Sequence, residues 1–358
     1  MAKAIKIGVI GAGSAQFSLG LVRDLCLAES LAGSQVTFMD VDESRLKTVH
    51  RLATRYAAEL GVDLRFETTL DREAALKDAD FVLNTALVGS HQWEEAWRRV
   101  SDEHGYYRGL RLQTNLNQYA LMLSLAEDIT RLCPNAWLVQ SSNPVFELCT
   151  LMTRETGIKA VGLCHGFYGY RQLCAAIGVP ADEVQWEAPG VNHWNYLTQF
   201  RHQGQDLHPR IDEWIESRAA EYWRTFRGRF SDTQLSRAAI DHYQRVGLMP
   251  IGDASRTFSE WYYQVDFETK REWFGHLGGF DSEIGWAHYL EKELLAFKTG
   301  DRELLVSSVL DDHRSRSLEQ AETVIDSMLA LPWNQSLADR FGGSRRTSPL
   351  PPYELPAR

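Results

Sequence analysis

Residues 4–10 form an apolar run that stops at Gly11-Ala12-Gly13-Ser14, and an amphipathic stretch over residues 14–30 follows without a spacer. That order is a strand, a tight turn and a helix. Residues 35–39 then form a second apolar strand ending in Asp40, and residues 43–60 carry a helical pattern. A buried strand over 79–86, a helix over 117–132, a strand over 136–140 and another over 159–164 continue the alternation. Such alternation predicts an α/β fold, a Rossmann-like doubly wound parallel sheet with helices on both faces. Residues 184–200 read as strands of a second, mostly helical α+β lobe. Helical patterns follow at 212–227, 232–245, 256–274, 281–297, 302–310 and 318–331, and the Gly- and Pro-rich tail over 342–358 is expected to be extended. The expected division is 1–165 for the Rossmann domain, 166–341 for the second domain and 342–358 for the tail.

The position of the glycine turn gives it a chemical meaning. Gly11 and Gly13 lack the Cβ atoms that would hold a pyrophosphate away from the backbone, and Ser14 opens the helix whose N-terminus favours an anion. Gln16 stands where the usual fingerprint has its third glycine. Any strand-to-helix unit can turn on glycine, but Asp40 at the end of the second strand is placed to accept from both ribose hydroxyls of a dinucleotide. A carboxylate there repels a 2′-phosphate, so the turn predicts NAD rather than NADP.

A formal charge of -10 and a pI near 5.6 exclude a polyanion partner, since nucleic acid and anionic membranes need clustered Lys and Arg. No apolar run approaches the roughly 18 residues of a membrane span. The first residues show no cleavable leader pattern, so a cytoplasmic protein is expected. Five cysteines, an odd number without framework spacing, read as reduced thiols. Eleven Trp and thirteen Tyr are available either to the core or to the walls of a small-molecule site.

Three downstream motifs are unusual for an ordinary dehydrogenase: Ser141-Ser142-Asn143-Pro144, Gly162-Leu163-Cys164-His165-Gly166 and Gly190-Val191-Asn192-His193. Together with the glycine turn, with residues 249–256 (Met-Pro-Ile-Gly-Asp-Ala-Ser-Arg) and with residues 281–286 (Asp-Ser-Glu-Ile-Gly-Trp), they resemble glycoside hydrolase family 4. These are the NAD- and Mn-dependent glycosidases, which share their fold with lactate and malate dehydrogenases, and the motifs look most like their α-glucosidase branch. Taken alone, Cys164 reads as a small buried hydrophobe and His193 as a hydrogen-bonded structural histidine. The resemblance implies instead that they are ligands of a divalent ion, Mn2+, acting as a Lewis acid.

The resemblance also implies a route outside the two-carboxylate scheme. Hydride leaves C3 of the sugar for NAD, the C3 ketone acidifies the C2 proton, the aglycone leaves C1, water adds and the hydride returns. By the same resemblance Asp253 is the base at C2 and His165 the acid, while Asn143 and Arg256 bind sugar hydroxyls. Asp253 also reads as the cap of the helical run from Arg256, and the two roles are compatible. The substrate implied is an α-glucoside or a related unphosphorylated hexoside, because the site segments carry no compact Lys/Arg cluster and His165 follows Cys164. The partners expected are that small glycoside and other copies of the chain, as a homodimer or higher homo-oligomer. The chain departs from the family in two places: the connector over 110–114 replaces a longer acidic loop, and the segment after Trp286 runs directly into a helical pattern. An NAD-dependent dehydrogenase of a sugar or 2-hydroxy acid, and a catalytically weakened NAD-binding relative, therefore stand beside the glycosidase.

Overall fold

The computed structural model describes residues 4–13, 15–107, 116–164, 169–226, 234–252, 254–257, 261–276 and 278. The helices expected beyond residue 281, the tail over 342–358 and the connector over 110–114 lie outside the described residues.

Six strands form one parallel sheet: β1 (Lys6–Ile10), β2 (Gln35–Met39), β3 (Arg65–Thr69), β4 (Phe81–Asn84), β5 (Trp137–Gln140) and β6 (Lys159–Gly162). Their spatial order is β3-β2-β1-β4-β5-β6, the doubly wound order whose direction of growth reverses between β1 and β4. Side chains alternate between two cores. Ile7, Val9, Phe81 and Leu83 pack under α1 (Ala15–Leu27) and α2 (Glu43–Leu60), whereas Ile10 and Val82 pack under α3 (Arg72–Leu76), α5 (Leu116–Leu132) and α6 (Val145–Glu155). Covering both faces is what lets the inner strands β1, β2, β4 and β5 read as largely apolar runs. α4 (Ser90–Glu103) follows β4.

Local chemistry sets the ends of the best-matched elements. The Asp42 carboxylate accepts from Arg45 N at the start of α2, and Gly61 closes it in the left-handed region at φ 67°. The expected helix over 43–60 and strand over 35–39 coincide with α2 and β2.

The second lobe begins with α7 (Tyr170–Ile177). β7 (Val184–Glu187), β10 (Gln199–His202) and β11 (Gln205–Asp206) form one antiparallel sheet. A second comprises β8 (Gly190–Val191), β9 (Trp194–Leu197) and β12 (Met249–Pro250). α8 (His208–Thr225) and α9 (Arg237–Val246) pack on them through Leu197, Phe200, Ile211, Trp214 and Tyr243, and the Tyr170 and Trp186 rings stack at 4.5 Å. One expectation is corrected here. The continuous helix read over 256–274 is three pieces: α10 (Ala254–Thr257), a 3-10 turn at Trp261–Gln264 and α11 (Phe267–Phe274). The Asp266 side chain accepts from Thr269 N at 2.7 Å, starting a new helix where the pattern suggested continuation. No described helix is long and apolar enough to cross a membrane.

Candidate functional site

The glycine turn is built against two neighbours. Gly11 has φ 84° and donates to Met39 O at 2.9 Å, and a Cβ there would lie 2.4 Å from the Ala86 backbone just past β4. Gly13 donates to Asp40 Oδ2 at 2.7 Å, and its missing Cβ would sit 2.7 Å from the same carboxyl group. Asp40 Oδ1 accepts from Asp42 N at 2.9 Å. The structure therefore brings Gly11, Gly13 and Asp40 together at the end of the sheet where the strand order reverses, which is where dinucleotides cross such sheets. Ser14 lies outside the described residues.

Beside the turn is a buried cluster of amides that sequence reasoning missed. Asn84 and Gln140 face each other across β4 and β5, each fully buried, and Asn84 Nδ2 donates to Gln140 Oε1 at 2.8 Å. The Ser142 hydroxyl accepts from Asn84 at 2.9 Å, from Gln140 at 2.8 Å and from Gln118 at 3.2 Å. The signal available was an amide closing each of two apolar strands, Phe-Val-Leu-Asn and Trp-Leu-Val-Gln. This cluster holds the base of the turn that carries Asn143, which is exposed and joined to Pro144 by a cis peptide bond.

The metal candidates come together from opposite lobes. Cys164 stands two residues beyond β6, and His193 occupies the two-residue loop between β8 and β9. The Cys164 Sγ and His193 Nε2 atoms are 3.2 Å apart, although the residues are separated by 29 positions. His193 has φ 62°, unusual for a residue with a side chain, and Gly190, paired with Asn195 at the base of the same hairpin, has no room for a Cβ, which would fall 2.2 Å from Trp194 O. The hairpin thus aims the imidazole by its turn conformation and a glycine-only approach. Two protein donors alone would leave positions on a divalent ion for oxygen ligands. No disulfide joins any of the five cysteines, and burial pushes Cys133, Cys149 and Cys174 up to about 11 and Cys26 up to about 12. Those four thiols are inert packing groups.

His165, Asp253 and the Arg256 side chain lie outside the described residues, but the segment leading to Asp253 does not. Ile251 N donates to Asn195 O on β9 at 3.0 Å, tying residues 249–252 to the hairpin that carries His193. The buried Gln234 side chain donates to Pro250 O and accepts from Gly252 N at 2.7 Å. A Cβ on Gly169 would meet that same carboxamide at 2.1 Å, so Gln234 also abuts the chain just beyond Cys164 and His165. A cavity of about 590 Å³ elsewhere in the lobe is lined by Trp223, Arg237, Trp273 and neighbours, and none of the site residues borders it. Converging donor atoms, rather than depth, locate this site.

The doubly wound sheet with its glycine turn is joined to a second lobe that brings a histidine to a cysteine of the first, a dinucleotide-type fold with a thiol and an imidazole side by side. The family models agree over nearly the whole chain: Family 4 glycosyl hydrolase matches residues 6–179 and the Family 4 glycosyl hydrolase C-terminal domain matches residues 188–332. The chain belongs to glycosyl hydrolase family 4. It is 28% identical over 305 residues to the α-glucosidase of Erwinia rhapontici, covering 82% of this chain and 61% of that protein. It is 33% identical over 206 residues to a probable 6-phospho-β-glucosidase of Bacillus subtilis, covering 54% and 46%. The 6-phospho-α-glucosidase from gut microorganisms, solved with NAD and Mn2+, superposes with a TM-score of 0.67 at 18% identity over 92% of this chain and 74% of that one. The chain spans about half to three-fifths of the length of the curated relatives it matches.

Proposed function

We propose that this chain is a glycosidase that hydrolyses an α-glucoside or a related unphosphorylated hexoside by transient oxidation at C3 and elimination, with NAD and Mn2+ as its cofactors. The observation that carries the reading is the 3.2 Å approach of Cys164 Sγ to His193 Nε2, a soft and a borderline donor brought together from two lobes. The donor set fits a divalent transition ion, and the Cβ-free cradle of Gly11 and Gly13 beside Asp40 fits a dinucleotide without a 2′-phosphate. When bound, NAD supplies reversible hydride transfer and the ion supplies Lewis acidity at vicinal sugar oxygens.

The remaining roles belong to the chain's own residues. Asp253 accepts the C2 proton, His165 donates a proton to the departing glycosidic oxygen, and Asn143 and Arg256 orient the ring through its hydroxyls. Ser14 joins Gly11, Gly13 and Asp40 in holding the dinucleotide. The sequences around Cys164, His193 and Asp253 contain no compact Lys/Arg cluster to recognise a phosphate, which favours the unphosphorylated sugar. The reading includes a cytoplasmic homodimer or higher homo-oligomer, with the NAD-binding domain over 1–165 and the substrate and metal domain over 166–341.

The test is isotopic. A screen of nitrophenyl glycosides and uronides with NAD, Mn2+ and a reductant identifies the substrate, and its product is then made in deuterium oxide. Deuterium at C2 is expected, because the proton taken by Asp253 exchanges with solvent; displacement at C1 leaves C2 untouched. Asp253→Asn retains the capping ability of the side chain and loses the base, lowering the rate by about 10²–10⁴. A protiated C2 together with an undiminished rate in Asp253→Asn would overturn the assignment.

A further inference from the structure

Gln118 lies in the first turn of α5, fully buried, and its carboxamide spans two backbone groups of the segment after β4. Nε2 donates to Ala86 O at 2.8 Å, and Oε1 accepts from Val88 N at 2.8 Å. These partners determine the orientation of the amide, since a carbonyl requires the NH2 end and an N–H requires the oxygen. Ala86 is also the residue whose backbone closes against Gly11, and Thr85 N donates to Ile10 O at 2.8 Å. The segment thus bridges the ends of β1 and β4 at the point where the strand order reverses. Through Nε2 the same amide reaches the Ser142 hydroxyl at 3.2 Å, under the turn that carries Asn143.

We infer that Gln118 is a positioning residue for the dinucleotide. Its carboxamide holds the Ala86–Val88 backbone as one wall of the cofactor crevice and ties that wall to the Asn143 turn. The inference rests on the proposal that the crevice binds NAD. Two features separate it from ordinary core packing. A single side chain satisfies both a carbonyl and an N–H of one irregular segment, and the Ala86 backbone of that segment closes directly against the glycine turn. The partners around the amide are neutral: the Ala86 and Val88 backbone and the Ser142 hydroxyl.

Gln118→Glu gives a readout that a merely structural role would not move. An ionised carboxylate keeps the acceptor for Val88 N but opposes Ala86 O, whereas the protonated acid donates to that carbonyl again. A buried carboxyl titrates above its usual range. NAD affinity, measured by fluorescence titration on the whole chain, is expected to fall on the order of tenfold relative to wild type at pH 8 and to recover toward wild type by pH 6. Gln118→Met, which fills the space and makes neither bond, should bind NAD weakly at both pH values. Ile129→Val, a core change on the same helix, is the control: it destabilises α5 packing in urea and leaves NAD affinity at the wild-type value. Wild-type affinity in both Gln118→Glu and Gln118→Met would overturn the inference, as would equal losses in Ile129→Val and Gln118→Met. If the wild-type protein itself binds no NAD, the functional reading falls and takes this inference with it.

Discussion

The two halves of the site are made in different ways. In the first lobe the functional atoms are mostly backbone: Gly11 and Gly13 contribute by what they lack, and their positions follow from the register of β1 between β2 and β4. In the second lobe they are side chains on short turns: His193 in a two-residue loop, and the approach to Asp253 held on β9 by the short β12 pairing and the Ile251 N to Asn195 O bond, and braced by Gln234. A wide parallel sheet buried on both faces can hold backbone within tenths of an ångström. Small antiparallel sheets deliver reactive side chains but depend on individual bonds for their aim. The comparison implies a division of failure. Changes in the first half should damage binding and fold together, and changes in the second should stop chemistry while leaving both nearly intact.

The largest effect is expected where the halves meet, at His193 of the second lobe and at Cys164, a side chain that the first lobe extends toward it beyond β6. Cys164→Ser and His193→Ala should each bring metal-dependent activity below detection, since each removes one of two converging donors. NAD titration and the urea midpoint should stay near wild type, because neither residue belongs to the core clusters. Retained activity in either variant breaks the comparison at its strongest point. Next in size is Gly11→Ala, where the new methyl group would stand 2.4 Å from Ala86 and the residue would keep φ 84°. Overpacking plus a left-handed conformation should destabilise the fold by roughly 2–4 kcal/mol in urea titration and weaken NAD together with it. A stable Gly11→Ala protein with full NAD affinity would show that the sheet end is softer than its geometry indicates.

Asp40→Ala tests the same half with a smaller change. Loss of a charge-assisted acceptor for the ribose should weaken NAD by about 1.5–3 kcal/mol. Because Asp40 also accepts from Gly13 N and Asp42 N, the variant should lose some stability as well, unlike the Cys164 and His193 variants. Calorimetric titration beside a urea curve measures both, and unchanged NAD affinity would mean that Asp40 serves the turn alone.

Much of this contrast is legible in the sequence. Gly11, Gly13 and Asp40 are readable because their meaning comes from position within strand-turn-helix units, and α2 is readable because Asp42 and Gly61 mark its ends. β3 escapes such reading: it is an edge strand with Arg65, Glu67 and Thr68 exposed, so neither an apolar run nor a clear alternation marks it. The amide cluster escapes because Asn84 meets Gln140 56 positions away and Gln118 meets Ala86 32 positions away, and no local period records such partners. α11 was hidden because Asp266 caps a fresh helix inside what looked like one amphipathic run. Cys164 and His193 were found through resemblance, and only the fold places their donor atoms 3.2 Å apart.

The smallest prediction compares the acid sensitivity of the halves. In the first lobe Asp128 on α5 joins Arg72 of α3 and Arg131 of its own helix, with only 15% of its side chain exposed. Burial works to raise its pKa, but the hydrogen bonds from Arg131 and Arg72 outweigh it and hold the carboxyl below its ordinary value. In the second lobe the His208 ring lowers Asp206 in the same way, but that side chain is 57% exposed and solvent screens the pair. A carboxyl depressed in the folded state stabilises it above the unfolded pKa, near 4, and that contribution is lost as pH falls through the lower folded value. Urea midpoints between pH 6 and pH 3 should therefore drop less steeply in Asp128→Asn than in wild type, because the variant has already lost roughly 1 kcal/mol at neutral pH and has no such contribution left to lose. Asp206→Asn should follow the wild-type curve closely. If Asp206→Asn flattens the acid limb as much as Asp128→Asn does, the second lobe owes as much to its exposed ion pairs as the sheet does to its half-buried one, and the division of labour drawn from the geometry fails on the stability side.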